Sequence, residues 1–350
     1  MTYLVIVARS VTAYVGAMAS STEMKAIMFD AFGPPENLVI RSLPVPEAGD
    51  GEIRIRVRAF GINSAEAHMR AGEWGEVAPV TGIECVGEVD LDPSGTLSTG
   101  QCVAAVCGGM GRTRNGSYAE YVVVPRSNTF ILDPILPWAE LGALPESYAT
   151  AWIALFDNLQ LTRGHTLLVR GATSALGQAA INLAVEAGAT VLATTRDQRK
   201  SPLLKALGVR RVLIDDGNLS AEVRGAYPAG IDGVLEIVGV RTIRDSLRMP
   251  MPGGSVCFVG FLGGMGAIDA FNPIFDLPSG VNLNFFASAF ELGTKAYPLS
   301  RIPLREIVAN TAAGVYRAKP ASIFCFEDIR EAHHRLESGD AGGKMVVLVE

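Results

Sequence analysis

A turn of small residues between an apolar segment and a helical pattern has the clearest chemical meaning in the sequence. Residues 167–169 are apolar, residues 176–187 repeat apolar side chains at helical spacing, and residues 190–194 form a second strand pattern. This order predicts a βαβ unit. Its helix begins at the turn and directs free backbone N–H groups at an anion, which predicts a dinucleotide pyrophosphate site. The candidate contact residues are Thr173, Ser174, Ala175, Leu176 and Gly177.

The match to the glycine fingerprint of dinucleotide sites is incomplete. Gly171 and Gly177 are present, but Ser174 and Ala175 lie between them. A packed turn without a ligand is the alternative, although the preceding strand pattern and the following helix pattern favour the dinucleotide site.

Two later strand patterns end in residues that belong at the same edge of the predicted sheet. Val238 and Gly239 follow one of them, and Gly260 follows the other. Ligands of open parallel sheets lie at the carboxyl ends of the strands, so we expect these residues at the cofactor. The two glycines could also serve only as turn residues.

The residues after the second strand of the βαβ unit indicate which dinucleotide binds. An NAD site usually has a carboxylate there, whereas this chain has Thr195 and Arg196, with Lys200 close behind. A hydroxyl and cations suit a 2′-phosphate, so we predict NADPH as the cofactor. Asp197 could be the NAD carboxylate, but its position before a polar turn favours a helix cap.

Composition narrows the class of protein. The chain has 350 residues, 49% of them hydrophobic, which allows two domains with a sizeable core. The net charge of −6 argues against nucleic acid as a partner, because phosphate contacts need clustered cations. Five scattered cysteines without C-x-x-C spacing favour reduced thiols and a cytoplasmic location, and no apolar segment of 18 residues suggests a membrane span.

The periodicity changes along the chain. Residues 1–23 are expected to be an extension outside the fold, with a targeting segment as the alternative; short strand patterns then continue to about residue 150. Strands and helices alternate from there to about residue 286, which predicts a doubly wound parallel sheet in an α/β fold. Residues 281–285 alternate like an edge strand, and such an edge predicts a homodimer.

Together these segments resemble the medium-chain dehydrogenases/reductases, and within them the quinone oxidoreductase-like branch that lacks zinc. The resemblance covers nearly all residues after Met24 and is carried by the segments Gly61–Asn63, Arg70–Gly72, Gly82–Val89, Gly116–Tyr121, Thr150–Trp152, Gly171–Gly177, Gly253–Gly254 and Gly343–Lys344. It implies a GroES-like β-barrel domain (24–147), a Rossmann domain (148–287) and a segment (288–350) that returns to the barrel. The nicotinamide would lie in the cleft between the two domains.

The resemblance also implies roles for individual residues. Asn63 and His68 are the expected catalytic residues, Asn63 beside the nicotinamide and His68 where related reductases have a tyrosine. Thr150, Lys200 and Lys344 would contact the cofactor. Thr150 could instead cap a helix, and His68, Arg196 and Lys344 could be ordinary surface residues.

Differences from the zinc-containing branch indicate which type of reaction the chain could catalyse. Zinc members carry Gly-His-Glu where this chain has Gly82-Ile83-Glu84, and Ile83 cannot bind a metal, so we expect no metal site. Hydride transfer without a metal suits an acceptor that is already electrophilic, such as a quinone or an α,β-unsaturated carbonyl. A zinc-independent alcohol dehydrogenase or carbonyl reductase, and an NADPH-binding protein with little turnover, are the alternatives.

Overall fold

The structure is a computed structural model that describes residues 22–350. The predicted extension at residues 1–23 therefore lies almost entirely outside the described residues. Fifteen strands are present in the described part of the chain: β1 (Glu23–Phe29), β2 (Leu38–Pro44), β3 (Glu52–Ile62), β4 (Glu84–Leu91), β5 (Cys102–Val106), β6 (Tyr121–Pro125), β7 (Thr129–Ile131), β8 (Thr166–Arg170), β9 (Thr190–Thr195), β10 (Arg211–Ile214), β11 (Ile231–Glu236), β12 (Pro250–Phe258), β13 (Asn282–Phe285), β14 (Ser322–Cys325) and β15 (Met345–Leu348).

Eleven α-helices accompany these strands between residues 22 and 350. They are α1 (Ser64–Ala71), α2 (Trp138–Leu141), α3 (Pro145–Trp152), α4 (Ala175–Glu186), α5 (Ser201–Ala206), α6 (Ser220–Ala226), α7 (Ile243–Ser246), α8 (Pro273–Asp276), α9 (Ser288–Glu291), α10 (Leu304–Ala312) and α11 (Ile329–Glu337). None of the helices within this range is long and apolar enough to cross a membrane.

The first domain is built around β3, the longest strand of the chain. Ile53, Ile55 and Val57 point into the core from this strand, while the arginines between them face outward, as its alternating sequence predicts. Antiparallel β4, β6 and β15 all pair with β3, and β5 and β7 extend the sheet. The pairing of β15 with β3 places the C-terminal strand in the sheet of the first domain.

The second sheet is six-stranded and wholly parallel, in the order β10-β9-β8-β11-β12-β13. The order reverses beside β8, so the crevice of this doubly wound sheet opens at the carboxyl ends of β8 and β11. This arrangement confirms the predicted α/β fold with a GroES-like domain and a Rossmann domain. Strand β13 forms the outer edge, with Phe285 exposed on it; the homodimer expected there stays a prediction.

Several element boundaries differ from the sequence-based expectation. Within the alternating region the sequence predicts a helix at 242–249 and a strand at 255–261, whereas the structure has the single turn α7 and a strand β12 that begins at Pro250. Strand β12 already pairs with β11 at Pro250, and a register shift follows. Helix α3 (Pro145–Trp152) spans the domain boundary predicted between residues 147 and 148, because Pro145 suits the first helical position and apolar packing buries most of the helix.

Candidate active site

The turn between β8 and α4 has the geometry of a dinucleotide cradle. Gly171 adopts φ +85°, and the Ser174 hydroxyl accepts a hydrogen bond from the Gly177 N–H at 3.0 Å. A Cβ atom on Gly177 would lie 2.7 Å from the Cα of Ala172, so only glycine allows the helix to approach the strand this closely. The N–H groups of Ala175 and Leu176 have no acceptor within the helix and are available to a phosphate. The turn therefore fits a dinucleotide.

The loops that follow β11 and β12 lie at the same edge of the parallel sheet as the turn between β8 and α4. The buried Glu236 carboxylate accepts hydrogen bonds from the N–H groups of Val238 and Gly239, both at 2.8 Å. Gly239 has φ +94°, and a Cβ atom there would lie 2.7 Å from the carbonyl oxygen of Gly260. These glycines are required by close backbone packing, and they lie at the carboxyl ends of strands that flank the crevice.

The residues after β9 divide into one ion pair and two cations. Asp197 caps the following 3₁₀ turn through the Arg199 N–H and pairs with the Arg199 guanidinium, which confirms its predicted role as a cap. Arg196 is exposed and forms no ion pair with any residue from 22 to 350. Lys200 donates a hydrogen bond to the carbonyl oxygen of Gly339 at 3.4 Å. Thr195 is buried, and its hydroxyl donates to the carbonyl oxygen of Asp197.

A buried arginine beneath the crevice was not recognised from the sequence. Arg170 is fully buried at the end of β8 and donates two hydrogen bonds to Asp215, both at 2.8 Å, and one to Asp245 at 2.9 Å. Despite its burial, the carboxylates, with Asp215 first among them, raise the pKa of Arg170. Arg170 thereby joins the ends of β8 and β10 with the start of α7. In the sequence its apolar neighbours suggest only a strand end.

A second group of charged and polar residues, with Glu66, Glu84 and Lys344 buried, lies between the two domains. We call Asn63, Glu66, Glu84, Glu146 and Lys344 the cleft cluster. The Lys344 ammonium donates to Glu84 and, at 2.5 Å, to the Asn63 Oδ1. The Asn63 amide in turn donates to Glu84 at 3.1 Å and to Glu66 at 3.2 Å. The Glu84 carboxylate also accepts the Glu146 N–H at 2.8 Å.

Burial and neighbouring charges shift the pKa values of the residues in the cleft cluster. Burial raises the pKa of Glu66 to about 7 from the ordinary 4.5, against the opposing influence of Lys344. Burial also raises the pKa of Glu146, and the neighbouring Glu84 raises it further. For Lys344 burial acts to lower the pKa, but the carboxylates, led by Glu84, outweigh it and the net pKa is raised. Three carboxyl groups thus surround one ammonium.

Thr150 extends this group of charges along α3. It is buried, and its hydroxyl donates to Glu146, one helical turn earlier, at 2.8 Å. Since α3 begins at Pro145, Thr150 lies inside the helix, and the alternative that it caps a helix is wrong.

Comparisons with known proteins agree with this two-domain arrangement. Residues 49–134 match the family model described as the alcohol dehydrogenase GroES-like domain, and residues 175–288 match that of the zinc-binding dehydrogenases. A quinone oxidoreductase from Rattus norvegicus is 25% identical over 337 residues, which cover 93% of this chain and 98% of that protein. The chain belongs to the medium-chain dehydrogenase/reductase superfamily, in its quinone oxidoreductase-like branch.

One further relative is similar in sequence over part of the chain, and a solved structure is similar in fold. Prostaglandin reductase-3 from Bos taurus is 31% identical over 241 residues, which span 67% of this chain and 62% of that protein. A mycobacterial protein solved in complex with NADPH superposes with a TM-score of 0.82 at 24% identity, covering 93% of this chain and 100% of the other. At 24% identity, the similarity to the mycobacterial protein shows a common fold.

The predicted catalytic residue His68 and the nearby Trp74 have different surroundings in this fold. His68 lies in α1, and its Nδ1 is 2.6 Å from a carboxylate oxygen of Glu73, outside the cleft cluster. Trp74 stacks on Phe290 of α9, with ring centroids 5.5 Å apart, and its Nε1 contacts the Met265 sulfur at 3.1 Å. Trp74 therefore packs between helix α9 and the loop that contains Met265. Within residues 22–350 no group of three His, Cys, Asp or Glu side chains is arranged to hold a metal ion.

Proposed function

We propose that this chain is an oxidoreductase that uses NADPH to reduce a quinone or an α,β-unsaturated carbonyl in the cleft between its two domains, without a metal. NADPH supplies the hydride. The observation that carries the proposal is the position of the cleft cluster beside the dinucleotide turn: the Gln178 side chain in the first turn of α4 donates to the carbonyl oxygens of Thr173 and of Gly342, two residues before Lys344.

The charges after β9 support NADPH rather than NADH. Two carboxylates near this end of the site already have a cation: Asp197 pairs with Arg199, and Asp215 pairs with Arg170. Arg196 and Lys200 are left to meet a 2′-phosphate. A neighbouring carboxylate that is already paired repels a phosphate less than a free one.

The residues of the cleft cluster support an acceptor that is electrophilic by itself. Ile83 has no ligand atom, and the neighbouring Glu84 binds the Lys344 ammonium. The cluster provides one fixed positive charge, the Lys344 ammonium, and the neighbouring Thr150 hydroxyl and Glu146 carboxyl are hydrogen-bonding groups for the oxygen of a conjugated acceptor. The names of the quinone oxidoreductase and prostaglandin reductase relatives point to the same substrate class.

Fluorescence titration with NADPH and NADH tests the cofactor assignment. Two charge-assisted contacts are worth about 3 kcal/mol or more, so the double variant R196A/K200A should raise the Kd for NADPH by roughly 100-fold. The Kd for NADH should change by less than about threefold. Lys205→Ala, an exposed lysine on α5, serves as the control. Equal losses for both cofactors would show that these cations do not bind the 2′-phosphate.

Turnover tests the reaction class. Purified protein should oxidise NADPH with quinones or enones, and simple alcohols should not reduce NADP⁺. Tight NADPH binding without turnover of any acceptor would favour the binding protein, and alcohol-driven reduction would favour the alcohol dehydrogenase.

A further inference from the structure

We propose that Glu146 and Thr150 form the route by which a proton reaches the reduced acceptor, Thr150 as the group that touches the acceptor oxygen and Glu146 as the acid behind it. This inference rests on the proposed function and supplies its missing proton donor.

The position of α3 places this pair between the domains. Helix α3 packs against α4 of the Rossmann domain and against β4 and β5 of the barrel domain. Residues 146 and 150 are four apart and therefore share one face of the helix. The Thr150 hydroxyl reaches the Glu146 carboxyl at 2.8 Å, and the Ser288 hydroxyl of α9 lies close enough to act on the pKa of Glu146. Glu146 itself is half-buried, whereas Thr150 is buried.

The surrounding charges favour a stored proton on this pair. Glu84 of β4, Lys344 just before β15 and the buried Cys107 thiol just after β5 interact with Glu146. Glu66 of α1 interacts with Lys344 and Cys107, and Arg112 interacts with Cys107. Three carboxyl groups with one ammonium would leave two uncompensated charges in a buried site if all were ionised, which is costly. The cleft cluster therefore retains a proton near neutral pH, and both Glu146 and Glu66 have raised pKa values.

Glu146 is better placed than Glu66 to release that proton. The Glu66 oxygens accept hydrogen bonds from the Asn63 and Ile83 N–H groups and from the Asn63 amide, so Glu66 is enclosed by donors. Glu146 instead contacts two hydroxyl groups, which can both accept and donate. The two predicted catalytic residues are also occupied, because the Asn63 amide protons face carboxylates and His68 is held by Glu73.

The proton transfer balances with the hydride transfer. When hydride from NADPH reduces the acceptor carbon, NADPH is oxidised and an electron pair remains on the acceptor oxygen. The Thr150 O–H bond breaks as the new O–H bond forms on the acceptor, and the carboxyl proton of Glu146 passes to the Thr150 oxygen. Glu146 is left as a carboxylate near Lys344, and a proton from solvent restores it. An enone becomes an enol that tautomerises to the saturated carbonyl compound, and a quinone becomes a keto tautomer of its hydroquinone that enolises.

Infrared difference spectroscopy tests the stored proton independently of activity. Spectra at pH 7 minus pH 10 should contain the C=O band of a protonated carboxyl group, and Glu146→Gln should remove one such component while the Glu66 component remains. A Glu146→Gln spectrum with the same protonated bands as the wild type would overturn the proposal. The spectra show whether Glu146 is protonated even if the wild type has no turnover. A lack of turnover would overturn the proposed function but not the assignment of the stored proton.

Kinetics test the route. General acid catalysis contributes about 10²–10⁴-fold, so Thr150→Val and Glu146→Gln should each lower kcat by roughly 100-fold. The Kd of Glu146→Gln for NADPH should stay within about twofold of the wild-type value. Glu146→Gln should also abolish the alkaline limb of the pH–kcat profile, and Thr150→Ser should restore most of the rate. Glu186→Gln, exposed at the far end of α4, is the control. An unchanged alkaline limb in Glu146→Gln, or equal loss in Thr150→Ser and Thr150→Val, would overturn the route.

Discussion

Replacing Glu66 by Gln should make the stability of the protein less sensitive to pH. Glu66 is fully buried at the start of α1, and burial raises its pKa to about 7 from 4.5. A carboxyl group with a raised folded-state pKa stabilises the fold while it is protonated. Its contribution is complete below pH 4.5 and is lost as the pH rises through 7.

The magnitude follows from the size of this shift. A rise of about 2.5 pKa units corresponds to about 3.4 kcal/mol between the fully protonated and fully ionised limits. Between pH 5 and pH 8 linkage gives a loss of about 2.5 kcal/mol from the free energy of unfolding of the wild type. Glu66→Gln cannot titrate at this position. It loses one hydrogen bond, because its amide nitrogen would face an N–H donor, but that cost does not vary with pH.

Urea unfolding of both proteins at pH 5 and pH 8 measures the effect. The difference in unfolding free energy between variant and wild type should shift by about 2.5 kcal/mol in favour of the variant at the higher pH. Glu306→Gln is the matched control, because Glu306 also lies in the first turn of a helix but is exposed. A difference that stays constant with pH would refute the reasoning.

Three further predictions concern buried charge and close packing. Arg170→Met should lower the free energy of unfolding by about 3–5 kcal/mol, since it leaves Asp215 buried without its cation; thermal unfolding checks this. Lys344→Met should destabilise the protein increasingly as pH rises, because loss of the ammonium raises the pKa values of the neighbouring carboxyl groups; urea titrations at two pH values would detect it. Gly177→Val should abolish dinucleotide binding in a fluorescence titration, because the turn cannot keep its shape with a Cβ atom 2.7 Å from Ala172.

Local sequence patterns are sufficient to predict the two sheets and the small-residue turn between β8 and α4. Alternation in β3 and the small residues from Gly171 to Gly177 depend on neighbours in sequence, so their geometry is encoded within a few residues. Family resemblance added the expectation that Lys344 contacts the cofactor. The structure instead directs its ammonium to Glu84 and Asn63; its contact with a cofactor stays a prediction.

The cleft cluster and the Arg170 network could not be derived in the same way. Glu66, Glu84 and Glu146 come from three separate elements, and Lys344 lies 260 residues after Glu84. No periodicity indicates that such residues meet. The same holds for Arg170 and Asp215, which are 45 residues apart.

The sequence by itself determined the α/β architecture, a turn whose shape fits a dinucleotide and the residue types that follow β9, because these features depend on local spacing and side-chain chemistry. Only the tertiary structure decided how the charges are distributed. The ionisation of a carboxyl group depends on its burial and on the charges within a few ångströms, and both arise when distant segments pack together. Glu146 and Thr150 show the difference: in the sequence they are two polar residues of a short helix, and in the fold they lie beside a buried ammonium between two domains.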